Sequence, residues 1–141
     1  MKKLLLILSF LASQLLAVEC TEEQYKPYFD KNNDRYMYSY SQASDKSKIL
    51  IDKKSVSYDK KNNRITCWTI MQTISNPELG IVKIRWEYNL NNNTIRVLTD
   101  TGTTCNGKII LEEQLSTWYD IEPESGHELV LNSLKKYLNI K

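Results

Sequence analysis

The residues with the widest chemical reach gather near one point of the chain. The stretch "WYDIEPESGHEL", residues 118–129, holds the only histidine, His127, among Asp120, Glu122, Glu124 and Glu128, with Glu113 further back. A histidine ringed by carboxylates could act as a general base or as a metal ligand. Nucleophilic catalysis would also need a Ser or Cys beside it, with a third group orienting the base. No strand–turn–serine elbow or cysteine signature surrounds any candidate in this chain. Glu112 and Glu113 are neighbours in an extended segment, so they point to opposite faces and cannot share a substrate. The 4 glycines are scattered as turn residues and form no phosphate-cradling loop. These patterns predict no enzyme, no cofactor and no metal centre.

Local structure gives the acidic stretch another role. Ser125 is followed three residues later by Glu128, the spacing of a capping box at a helix start. Glu124 then sits near the positive end of the helix dipole, and His127 falls in the first turn. The stripe Val130, Leu134, Tyr137 and Leu138, flanked by Leu131, gives that helix one apolar face for covering a sheet.

The sheet precedes it. "RYMYSYS" places Tyr36, Tyr38 and Tyr40 on one face by alternation, followed by short strands at "KILID" and "SVSYD". Residues 64–75 are rich in Thr, Ile and Trp, as strands are. In "IVKIRWEYNL" Val82, Ile84, Trp86, Tyr88 and Leu90 face one way, and Lys83, Arg85, Glu87 and Asn89 the other. One wet face implies an antiparallel sheet covered on one side. "DKKNN", "NPELG" and "NNN" read as turns, and Asn106-Gly107 as a hairpin before the last strand, residues 108–115. The expected fold is α+β: about six mostly hairpin-connected antiparallel strands with a C-terminal helix on one face.

Composition bounds the setting. "MKKLLLILSFLASQLLA" has the charged start, apolar middle and small-residue end of a secretory signal peptide, with cleavage expected after Ala17. Its apolar run of about 13 positions falls short of the roughly 20 that span a bilayer. The mature chain would comprise a polar arm at 18–34 and one domain at 35–141, exported to the periplasm or cell surface, with no transmembrane segment. Removal of Lys2 and Lys3 from 19 basic residues leaves 17 against 17 acids, which argues against nucleic acid or an anionic membrane as partner. Glu19, directly before Cys20, argues against lipid anchoring there, where a small residue is needed.

Three cysteines, Cys20, Cys67 and Cys105, allow one disulfide in an exported chain. If the strands form a meander, Cys67 and Cys105 lie roughly 30 Å apart along it, too far to bond. Cys20 on the arm is then the better partner for either.

Two clusters could bind. Tyr36, Tyr38 and Tyr40 read either as a half-buried sheet face or as an exposed aromatic platform. Lys53, Lys54, Lys60, Lys61 and Arg64 bracket one short strand, and read as a solvated turn, as guards of a sheet edge, or as a holder of polyanions.

From Tyr36 to Leu138 the chain resembles the surface-adhesin protein E-like domain family of bacterial exported proteins. "ILIDKKSV", Cys67-Trp68, the "NGK" hairpin and Trp118, Ile121, Pro123 and Ser125 of "WYDIEPES" carry the resemblance. It implies an antiparallel sheet with a packed C-terminal helix, and a family named for an adhesin of host matrix proteins. The expected function is thus an exported non-enzymatic binding module for a matrix protein or glycan. The alternative is a periplasmic structural or accessory protein with no host ligand. Open sheet edges would also permit pairing into a homodimer.

Overall fold

A computed structural model describes Tyr28 and residues 32–41, 48–72, 80–103, 109–113 and 117–141. The expected signal segment with its expected cleavage point, all of the expected arm up to residue 31 except Tyr28, Cys20, Cys105 and the expected Asn106-Gly107 turn lie outside the described residues.

The sheet is antiparallel throughout, in the order β1 (Tyr36–Ser41), β2 (Lys48–Asp52), β4 (Arg64–Gln72), β5 (Ile81–Asn89), β6 (Thr94–Thr103), β7 (Ile109–Glu113). Two short strands complete it: β3 (Ser57–Asp59) continues beside β4 where β2 leaves off, and β8 (Tyr119–Asp120) does the same beside β6. Most sheet neighbours are consecutive in the chain; the exceptions are β2 beside β4 and β6 beside β8. The helix α1 (Gly126–Leu138) packs across one face, so the α+β reading holds.

Three turns at one end of the sheet are tied together by asparagines, which tolerate the left-handed backbone that tight turns demand. Asn63 and Asn93 adopt φ of 54° and 53°. Asn63 Nδ2 donates to Asn91 Oδ1 at 2.8 Å, and the Ile121 N–H donates to the Asn93 carbonyl at 3.1 Å. Asp59 closes its own turn by accepting from the Lys61 and Asn62 backbone N–H groups and from Asn62 Nδ2, bonds that hold its carboxyl below the usual pKa.

The core lies between sheet and helix. Ile49, Ile51, Ile65, Cys67, Tyr88 and Ile95 from the strands meet Val130, Leu131 and Leu134 from α1, with Ile121 closing the side. The expected stripe is corrected at its far end. Tyr137 is 44 % exposed, and Ile140 packs on the core instead. The cause is the helix stop: Asn139 turns left-handed at φ 53°, and the Ile140 N–H bonds back to the Lys135 carbonyl, folding Ile140 inward.

The second face is not bare. Leu50, Ile70 and Ile81 form a smaller buried cluster there, capped by Tyr28 and Tyr36. Every residue of β2 after Lys48 is consequently buried. Asp52, the charged one, receives two bonds from Arg35, at 3.0 and 2.7 Å, and caps the 3-10 turn Lys53–Ser55 by accepting from the Lys54 N–H at 3.1 Å.

Candidate functional site

The tyrosine ladder does not share one face. In β1 Tyr36, Met37 and Tyr38 pair in step with Asp52, Ile51 and Leu50, but Tyr40 then pairs with Ile49, leaving Ser39 as a bulge. The extra residue reverses the alternation. Tyr36 packs on the open-face cluster and Tyr38 is 57 % exposed, whereas Tyr40 packs on the main core beneath the helix.

The basic cluster divides too. Lys53 and Lys54 lie in the 3-10 turn, and Lys60 and Lys61 in the β3–β4 turn, where no ion pair among the described residues engages any of them. Arg64 leaves this group, because it opens β4 with its side chain on the face opposite Ile65.

There Arg64 joins residues that the spacing did not single out as a site. Glu87 of β5 receives the Arg96 Nε at 2.5 Å, while Arg64 reaches the same carboxylate only at 3.6 Å. The indole of Trp118 faces both guanidinium groups, at 5.4 Å from Arg64 and 4.6 Å from Arg96. An aromatic face attracts cations at such distances. Trp118 itself is half-buried at this surface. Since Glu87 is taken up by Arg96, Arg64 keeps unspent charge, and its Nε has no hydrogen-bond partner.

The register extends this surface across the sheet. Thr66, Trp68 and Ile70 of β4 lie opposite Glu87, Arg85 and Lys83 of β5. Arg85 is exposed, and the Lys83 ammonium lies 5.4 Å over the Tyr28 ring. The open face thus carries Lys83, Arg85, Arg64 and Arg96 against Glu87, interleaved with Trp68 and Trp118; Asp59 and Asp120 flank it at the turn end. The alternation Lys83, Arg85, Glu87 was visible as a wet face, but only cross-strand register brings Arg64, Arg96 and Trp118 beside it.

His127 sits on the other side of the sheet. Its ring meets Trp86 edge-on with centroids 4.8 Å apart, and the resulting desolvation lowers its pKa below the ordinary histidine value. The capping box holds with one change of partner. Ser125 Oγ accepts from the Glu128 N–H at 3.3 Å, and Glu128 Oε2 accepts from the Glu124 N–H at 2.7 Å, one residue earlier than the usual return bond. Glu124 carries this turn in a left-handed conformation, φ 61°.

Cys67 is a buried thiol with no disulfide among the described residues, and its expected partners Cys20 and Cys105 lie outside them. Burial pushes the Cys67 pKa up to about 12. Among the described residues no group of His, Cys, Asp or Glu converges to hold a metal ion, and no helix is long and apolar enough to cross a membrane.

Comparison with known protein families, with curated proteins and with solved structures finds no match.

Proposed function

We propose that this protein is an exported, non-enzymatic binding module whose open sheet face engages an anionic partner, a protein or glycan surface. The observation that carries this reading is the Trp118–Arg64–Arg96 array, where Glu87 closes tightly on one arginine and leaves the other with charge to offer. Lys83 and Arg85 continue the positive surface, and flat aromatic rings beside cations suit both sugar rings and anionic side chains. The non-enzymatic reading is supported by the surroundings of two reactive side chains among the described residues: Cys67 is sealed in the core and His127 packs on Trp86. The resemblance to the surface-adhesin protein E-like family points the same way.

The test is binding to an immobilised sulfated glycan such as dextran sulfate, followed as salt is raised. The Debye length is about 10 Å at 0.1 M salt and shortens as salt is raised, so exposed charges are increasingly screened and retention should fall steeply with ionic strength. Lys83→Glu with Arg85→Glu should lower affinity at least tenfold, while Lys53, Lys54, Lys60 and Lys61 all changed to Glu should matter less. A larger loss from the four turn lysines would move the site to the β3 edge. No binding by the native chain would favour the envelope-accessory alternative.

A further inference from the structure

A concavity lies on the helix side, away from the open face. Its volume is about 280 Å³, and it lies between the first turn of α1 and the strands β1, β2, β4 and β5. Three aromatic side chains, Tyr40, Trp86 and His127, form its walls, and aliphatic residues including Met71 and Ile84 line the rest.

Three separate departures from regular structure meet at this spot. The β1 bulge turns Tyr40 inward against the strand alternation. Gly126 opens the helix where any side chain would collide with the Tyr40 ring and hydroxyl. His127, at the exposed mouth, sets its ring edge-on against Trp86. Bulges commonly re-aim a side chain beside a working site, and glycine permits close approach. No one of these features is needed to cover a sheet with a helix.

The lining also defines the ligand. No Asp, Glu, Lys or Arg borders the cavity. Trp86 Nε1 already donates to Thr69 Oγ1 at 2.8 Å, and Thr69 Oγ1 donates on to the Ile84 carbonyl at 3.5 Å. These bonds satisfy the Trp86 N–H and the Thr69 hydroxyl at the floor, so what the cavity offers a guest is chiefly aromatic and aliphatic surface. Drug-sized ligand pockets start at about 300 Å³, and an apolar cavity of about 150 Å³ accepts benzene. We propose that this cavity binds a small uncharged aromatic molecule of one or two fused rings.

The single histidine makes the test direct. Proton NMR of the full untagged chain should show the His127 ring resonances moving saturably as indole or p-cresol is added, with benzoate, a charged ring of similar size, binding at least tenfold more weakly. Ile84→Phe fills the cavity and should weaken the neutral probe at least tenfold; Met71→Phe serves if that variant does not fold. Lys136→Ala, exposed on α1 and outside the cavity lining, should leave binding unchanged. Shifts that never saturate, equal affinity in the filled variant, or benzoate binding as tightly as the neutral probes would each overturn the proposal.

Discussion

The Tyr40 hydroxyl occupies the space that a side chain at Gly126 would need. Helix propensity alone favours alanine over glycine by up to about 1 kcal/mol. Here the neighbour decides the sign, because Tyr40 packs on the main core. Gly126→Ala is expected to destabilise by about 1–2 kcal/mol, the range of a modest overpacking. Urea unfolding checks this, and adding Tyr40→Leu should recover part of the loss. A stabilised single variant would show that Tyr40 swings aside freely.

Ser125→Ala should cost about 1 kcal/mol as a lost cap. His127→Ala should cost less than that, since its ring contact with Trp86 lies at the exposed mouth of the cavity. The histidine leaves a pH signature. Its folded pKa is depressed, so the unfolded chain binds the proton more readily, and stability should decline as pH falls below about 6.5 and stop declining below the folded pKa. Its NMR titration midpoint should lie below the value for the chain in urea. An equal or higher midpoint would refute the desolvation argument.

Cys67 and Tyr88 act at the other end of the scale. Burial raises both pKa values, the thiol to about 12, and holds both groups protonated in the folded state. The unfolded chain releases the Cys67 proton near pH 8.5 and the Tyr88 proton near pH 10, so stability should fall as pH climbs from about 9 toward 12. With Cys20 and Cys105 changed to Ser, the remaining thiol should resist a disulfide reagent at pH 8 until denaturant is added. Prompt labelling of the native variant would show that Cys67 is accessible.

Glu87 stands between two arginines and is the more buried partner, at 12 % exposure. Glu87→Gln leaves two cations facing each other and should destabilise by about 2 kcal/mol, below the about 3–5 of breaking a fully buried pair, because both arginines are partly solvated. Trp118→Ala should cost about 1–2 kcal/mol, below the about 3–5 of a fully buried Trp. Thermal melts at low and high salt separate the two, since only the Glu87 loss should shrink with salt.

The fold was readable where chemistry is local. Alternation from Ile81 to Leu90, turn asparagines at 62–63 and 91–93, and the Ser125–Glu128 spacing each correspond to an element found in place. What was not readable depends on register. The bulge at Ser39 leaves no mark in "YMYSYS", yet it sends Tyr40 to the opposite face from Tyr36 and Tyr38. Nothing near Trp118 in sequence announces Arg64 or Arg96. The open-face array exists only because three distant segments lie side by side, and the helix-side cavity only because a bulge and a glycine coincide.

The position of α1 after the strands has a consequence for how the chain is made. Ile49, Ile51, Ile65, Tyr88 and Ile95 all leave the ribosome before Val130, Leu131 and Leu134, the residues that shield them from water. Most strands find their sheet neighbours quickly, since the sheet largely follows chain order. The growing chain can therefore assemble a sheet with one greasy side still uncovered. Premature termination before Ser125 would leave that state permanent, and its natural outcome is stacking of one such sheet on another.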